Sequence, residues 1–458
     1  MSRRKKRLPP FETEITHLGA KGTGMGIAPD GRPIAVRRAP VGSRVLVRPA
    51  GRKKGAWKGV RTALVRPATD HVTPPCPLFG LCGGCVLQEM PLASQRAAKR
   101  ARAVDDVGPA EWAPGVGGTD AAHGYRNKME LSFGTARYLD EASHAAGEPI
   151  DGRFLGMHAA GRFDRVVDTA HCDLMDPAMN ALLTVVRTHA LAPDAPPPWN
   201  PRAHTGFFRH LQLRRGADGV LLALFTAPPD ETQTAFVEAL AETLLAAGAL
   251  GVQWIVNDQV ADVAQGELAG SWGVDRLRMV LSGRSFDLST RAFFQVNTAA
   301  AEILYATIGE ALGTGHRRLL DLYCGTGSIG ITLADHADEV VGVEVVADAI
   351  DNARANAAAN EVSATYHVGR MEDLLEVLVG GPGVAAVVDP PRVGLHPKVA
   401  KLLAETPLDV LVYVACNPAS LGRDRGVLEE GGWRLERCWA VDLFPQTGHL
   451  EVVARFTR

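Results

Sequence analysis

The chain has 458 residues, 46% hydrophobic and 22% charged, with 49 Lys and Arg against 51 Asp and Glu for a formal net charge of −2. That length predicts two or three domains with ample core. No apolar run reaches the roughly 18 residues that cross a bilayer, and the basic start MSRRKKRLPPF has no apolar segment behind it; this argues against a membrane partner or secretory leader and predicts a cytoplasmic protein.

Near-neutrality hides an asymmetry. Up to about residue 70, Lys and Arg outnumber Asp and Glu several-fold, in RRKKR and GRKKGAWKGVR. A basic module on an otherwise acidic chain predicts a partner with a phosphate backbone. The same block carries short alternating segments, TEITHL, PIAVRRA, SRVLVRPA and GVRTALVRPA, between Gly-rich or Pro-Asp-Gly turns. Residues 1–69 are therefore read as a small, five-stranded β-barrel with a basic face, of the OB type that binds nucleic acid.

Residues 70–285 read as α+β. The loop CPLFGLCGGC places Cys76, Cys82 and Cys85 in C-x5-C-x2-C spacing, with Cys172 far downstream in DTAHCDL. Three thiols within ten residues, without a secretory signal, point to a metal site rather than disulfides. Spacing alone leaves zinc and a [4Fe-4S] cluster both open. LASQRAAKRARAV and TQTAFVEALAETLLAAG follow helical patterns, while YRNKMELSF, RFLGMHA and the pair RHLQLRRG and VLLALFTA, joined at Ala-Asp-Gly, read as strands.

From residue 286 to 458 strands and helices alternate, the strands being RLLDLY, EVVGVEVV, ATYHV, VAAVVD, DVLVYVA, ERCWAVDLF and LEVVARF. This predicts a Rossmann-like doubly wound sheet that finishes in an antiparallel pair. LLDLYCGTGSIGITLA sets Gly325, Gly327 and Gly330 between a strand and a helix, with Glu344 ending the next strand. Such a loop suits a dinucleotide, with Glu344 on ribose hydroxyls. Asp321 just before the glycines would repel a pyrophosphate, so the balance favours S-adenosylmethionine, which carries an ammonium and a sulfonium. Asp389 ends the fourth strand in VVDPPRVGL, and Cys416 follows the fifth in DVLVYVACNP. Both are predicted to share a crevice with the methyl donor. Cys324 and Cys438 are read as packing residues.

FFQVN (293–297), DLYCGTGS, DPPR, CNP and FPQTGHLE, in this order, resemble the RNA 5-methyluridine methyltransferase family, and the resemblance runs from the N-terminal barrel, which is similar to a TRAM domain, to the last strand. The resemblance implies an enzyme that transfers a methyl group from S-adenosylmethionine to carbon 5 of a uridine in RNA. It implies Cys416 as the nucleophile that adds to carbon 6 and Glu451 as the general base that removes the hydrogen on carbon 5. It implies donor contacts for Gln295, Tyr323, Glu344 and Asp389, with Asp373 near the adenine; Ser328 departs from the family's usual Asn. For the thiols it implies a [4Fe-4S] cluster on Cys76, Cys82, Cys85 and Cys172, in the branch whose usual target is 23S rRNA, with tRNA as the alternative. Nothing in the chain implies a protein partner.

Rival readings differ in their residues. A cytosine carbon-5 enzyme commonly shows its thiol after Pro, but Cys416 follows Ala415. An amino-group methyltransferase would use DPP without needing Cys416 or Glu451. A scaffold with a decayed site would not have kept Cys, Glu, Gln and Asp together.

Overall fold

The computed structural model describes residues 8–458 apart from 54, 160 and 291. The RRKKR cluster lies outside the described residues. Six strands form the first sheet, in the order Phe11–Glu14, Arg44–Lys53, Ala56–Arg66, Pro33–Arg37, Gly24–Ile27 and His17–Leu18. Alternation does the work: Val45 and Val47 turn inward with Ile34, Val36 and Trp57, while Arg44 and Arg48 face out. The sheet curls until Phe11–Glu14 comes against Gly24–Ile27, where the Thr13 hydroxyl donates to Ile27 O at 3.0 Å and accepts from Ile27 N at 3.1 Å.

One strand more than expected is present because GMGI, which reads as a Gly-rich turn, is extended. A side chain at Gly24 would strike Ala39 O, and one at Gly26 would strike Glu14 O, so these glycines mark close backbone approach.

The second sheet has seven strands, ordered Val166–Asp168, Asp151–His158, Lys128–Ala136, Phe208–Arg215, Val220–Thr226, Gly251–Val256 and Glu267–Gly273. All neighbours are antiparallel except Val220–Thr226 with Gly251–Val256, whose crossover is the Glu231–Ala246 helix. That helix opens on a capping box in which Asp230 and Gln233 satisfy each other's backbone amides. It packs with Pro177–Ala190 over a core that includes Leu183, Leu211 and Leu244.

The third sheet positions the site. Ala364–Val368, Val340–Glu344, Arg318–Leu322, Val384–Val388 and Val410–Ala415 are parallel; Glu451–Thr457 follows in reverse direction, and Arg434–Val441 beyond it runs antiparallel to Glu451–Thr457 and so along the first five. The four inner parallel strands are largely apolar and buried on both faces, as a doubly wound sheet requires, whereas the edge strand Ala364–Val368 buries only Tyr366. The strand order reverses between Arg318–Leu322 and Val384–Val388, and ligands of such sheets bind outside the carboxyl ends at that point.

Sequence order and spatial order diverge between the second and third sheets. The Leu92–Val107 helix docks on Pro418–Glu430, with Arg425 donating to Val107 O at 3.3 Å. Glu111–Trp112 then adds an edge strand beside Arg434–Val441. The division at 285/286 falls inside Arg284–Ser289, which forms a hairpin with Arg276–Leu281 and sends Phe286 and Leu288 into the core of the third sheet. Among the described residues no helix is long and apolar enough to cross a membrane.

Candidate active site

At the carboxyl edge of the third sheet, four strand ends and one strand start deliver functional side chains to one crevice. Asp389 follows Val384–Val388, Cys416 follows Val410–Ala415, and Glu451 opens the antiparallel Glu451–Thr457. Ala415 pairs with Val452, so the next position on each strand sets Cys416 opposite Glu451. Asn417 Nδ2 donates to Arg392 O at 3.2 Å, tying the thiol's loop to the DPPR loop, and Asp389 N donates to Leu322 O at 3.3 Å, tying that loop to the glycine-rich turn.

Burial and mutual repulsion set the charges. Glu451 is 4% exposed, and burial, then the Asp389 carboxylate, pushes it up to about 8. Asp389 is raised to about 7 by burial. Burial, Glu451 and Asp389 push the Cys416 thiol up to about 11, with the Arg392 guanidinium opposing. The crevice therefore holds a thiol and two carboxylates that titrate near neutrality, with a cation at their edge. That combination can add a nucleophile to an unsaturated ring and later take a proton.

The glycine loop lies beside this triad. Tyr323 has a left-handed backbone, φ 64°, uncommon for a residue with a side chain. Gly325 has φ 52° and nothing within 4 Å of where a side chain would begin, so the backbone borders open space. Asp321 accepts from Gly330 N at 2.8 Å, while its Oδ1 is buried without a partner. A donor-rich ligand satisfies such an acceptor. Glu344 Oε1 is fixed by Val345 N at 2.7 Å and Val346 N at 3.1 Å at the end of its strand. These residues fit S-adenosylmethionine in its cationic groups and its ribose.

Two expected donor contacts look different in the fold. Ser328 spends its hydroxyl on Tyr305, 2.7 Å away, inside the first turn of Ser328–Thr332. Asp373 is exposed in the first turn of Met371–Val379, whereas its neighbour Glu372 is the half-buried carboxylate whose charge, after burial, raises the Tyr323 hydroxyl. Gln295 is 9% exposed and its side-chain amide has no hydrogen-bond partner among the described residues. Its segment is held in place by buried polar groups: Asn127 Nδ2 donates to Gln295 O at 3.0 Å, and Asn297 Nδ2 donates to Leu443 O at 3.0 Å. Arg214, buried, donates to Ala292 O at 2.7 Å.

Sequence reasoning gave no role to Arg392 or His449. Arg392 Nη1 lies 3.5 Å from His449 Nε2, and burial with the nearby cations pushes His449 down to about 4. Their only signal was membership of the DPPR and GHLE strings.

The four cysteines of the C-x5-C-x2-C loop and DTAHCDL line one cavity. Burial raises all four thiols, Cys85 to about 12; charge on neighbouring thiols raises Cys76, Cys82 and Cys85 further and Asp173 raises Cys172, while the Arg126 guanidinium opposes this at Cys82 and Cys172. Among the described residues no three His, Cys, Asp or Glu side chains are grouped so as to hold a metal ion.

A family model described as tRNA (uracil-5-)-methyltransferase matches residues 246–376 and 384–457. An uncharacterized RNA methyltransferase of Caldanaerobacter subterraneus subsp. tengcongensis is 32% identical over 450 residues, 96% of this chain and 97% of that protein. Another, of Chlorobaculum tepidum, is 34% identical over 421 residues, 85% of this chain and 84% of that protein. Among solved structures, the Pyrococcus abyssi tRNA (uracil-54, C5)-methyltransferase in complex with S-adenosyl-L-homocysteine is similar, with a TM-score of 0.77, 25% identity, and coverage of 98% of this chain and 100% of that one.

Proposed function

The chain belongs to the RNA uracil-5-methyltransferase family, enzymes that use S-adenosylmethionine, and we propose that it methylates a specific uridine through a covalent adduct on Cys416. The observation that carries this reading is the placement of Cys416 opposite Glu451, beside Asp389, at one sheet edge. Carbon 5 of uracil is too weak a nucleophile to attack a sulfonium directly. The Cys416 sulfur adds to carbon 6 as its proton passes to the Asp389 carboxylate, leaving Glu451 ionised, and the ring's electron density moves to carbon 5. S-adenosylmethionine supplies the methyl group. Glu451 then takes the hydrogen left on carbon 5, and those electrons rebuild the double bond and expel the thiolate. Asp389 hydrogen-bonds the uracil in this reading, and Gln295, Tyr323 and Glu344 hold the donor, a role that the Tyr305 contact of Ser328 and the exposure of Asp373 support less.

The N-terminal sheet acts as a TRAM-like RNA platform, supported by the exposed Arg48, Arg52, Lys53 and Lys58. The thiol loop holds a [4Fe-4S] cluster on Cys76, Cys82, Cys85 and Cys172. The four thiols line one cavity, which supports this reading.

The target is 23S rRNA, as the resemblance of the barrel and thiol loop implies. A second reading, tRNA, is favoured by the Pyrococcus abyssi enzyme, which is similar over nearly the whole chain. Mapping 5-methyluridine in ribosomal and transfer RNA from a deletion strain decides. Loss of one methyl from 23S rRNA supports the first reading and loss from tRNA the second; unchanged uridine methylation in both contradicts the assignment.

A further inference from the structure

Gln446 precedes Glu451 by five positions and has a left-handed backbone, φ 68°. For a residue with a side chain such a conformation costs energy and persists only where the surroundings enforce it. Here they do. Gln446 is 5% exposed, and its carbonyl accepts from Val86 N at 2.8 Å and Leu87 N at 3.1 Å, the two residues after Cys85. Its own amide donates to Gln95 Oε1 at 2.8 Å, and its side-chain oxygen accepts from Gln95 Nε2 at 2.9 Å. Gln95 is fully buried, and the same Nε2 donates to Met90 O at 2.8 Å. One amide pair thus joins three segments: the thiol loop, the Leu92–Val107 helix and the loop that leads into the last strand. That loop is pinned again farther on, where Arg102 Nη1 donates to Gly448 O at 2.9 Å.

We propose that Gln446, clasped by Gln95, is a positioning residue that sets Glu451 against the substrate carbon and mechanically couples this base to the thiol loop. The proposal rests on Glu451 being the base. Cys416 sits on a different strand end and takes its position from Val410–Ala415 and the DPPR loop. Loosening the clasp therefore spares thiolate addition and methyl transfer but slows removal of the carbon-5 hydrogen, and the covalent protein-RNA species lives longer. A shift of the Cys85–Leu87 backbone acts on the same step through the Gln446 carbonyl.

The test uses the full chain with unmodified 23S rRNA and tRNA transcripts and S-adenosylmethionine. Three quantities are read at steady state: kcat, KM for the donor, and the fraction of enzyme in a denaturant-resistant adduct. Gln95→Ala removes the clasp from the helix side. Gln446→Gly removes the side-chain arm while suiting the left-handed backbone, so the loop keeps its course. Leu244→Ala, in the core of the second sheet, serves as a control for lost stability. The expected result is a fall in kcat of about ten- to a hundredfold in both clasp variants, an unchanged KM for the donor, and a raised adduct fraction absent from the control. Normal kcat and adduct fraction in both clasp variants overturn the proposal, as does a fall in kcat without added adduct. Glu451→Gln is run alongside. If it fails to accumulate adduct, the base itself is misassigned; if it accumulates adduct and the clasp variants do not, only the coupling fails.

Discussion

Cys416 and Glu451 meet because an antiparallel ladder registers them, and the strand pattern of the sequence already contained that ladder. Both follow or begin apolar β-branched runs whose direction and neighbours are fixed by the doubly wound order. Asp389 was legible for the same reason. Asp373 lies exposed, and since within one helical turn a shift of one residue turns a side chain by about 100°, it is its neighbour Glu372 whose charge adds to burial in raising Tyr323. The raised carboxylates make a prediction at this scale. Glu451 holds its proton up to about 8 in the fold, against an ordinary value of 4.5. Catalysis needs the ionised base and a thiolate, so kcat/KM is expected to climb between pH 6 and pH 9, and a flat profile would contradict it. Stability runs the other way. The unfolded chain ionises first, so the site's contribution is fully present below 4.5 and is lost as pH rises to 8. Glu451→Gln is therefore expected to stabilise the protein by on the order of 2 kcal/mol at pH 8 and by much less at pH 5. Urea denaturation at both pH values measures this, and an equal difference at both would show the carboxylate's ionisation to be irrelevant.

Elements were easier to see than their partners. Long periodic segments such as Glu231–Ala246 and Val410–Ala415 announce themselves, but Gly24–Ile27 hides because its glycines serve close packing rather than a turn. Glu111–Trp112 is two residues long and owes its existence to the open edge of Arg434–Val441. The Leu92–Val107 helix was legible as a helix, but not as the clamp on the catalytic loop. It buries Lys99 against Asp442 at 2.7 Å with both side chains fully enclosed, a charge in a helix interior that periodicity treats as surface. The thiol loop belongs to this scale as well. Protein purified without oxygen is expected to be brown, with roughly four iron and four sulfide per chain, and Cys172→Ser is expected to lose them. Stoichiometric zinc without iron would refute the cluster.

Over the whole molecule, the first sheet is not a detachable appendage. Arg61 and Glu89 form a bidentate pair at 2.8 Å, joining the Ala56–Arg66 strand to the thiol loop, and Gly22 abuts Gly448 so closely that neither tolerates a side chain. The basic block was legible as a charge run; that it rests on the loop leading to Glu451 was not, because such contacts join residues more than 400 positions apart. Testing the platform role therefore calls for charge changes on its outer face rather than truncation. Arg48→Glu with Lys58→Glu, both exposed, is expected to weaken RNA binding and to lower the slope of log affinity against log salt by about one per contact removed, with donor affinity unchanged. An unaltered salt slope would remove the RNA from this face.

The account stands or falls on the bond between Cys416 and uracil. The direct measurement is mass spectrometry of Glu451→Gln after incubation with unmodified RNA and S-adenosylmethionine, followed by denaturation and digestion. The predicted result is a peptide containing Cys416 cross-linked to a methylated uridine nucleotide. A variant that turns over normally and yields no cross-link, together with a Cys416→Ala enzyme that still methylates RNA, would contradict it.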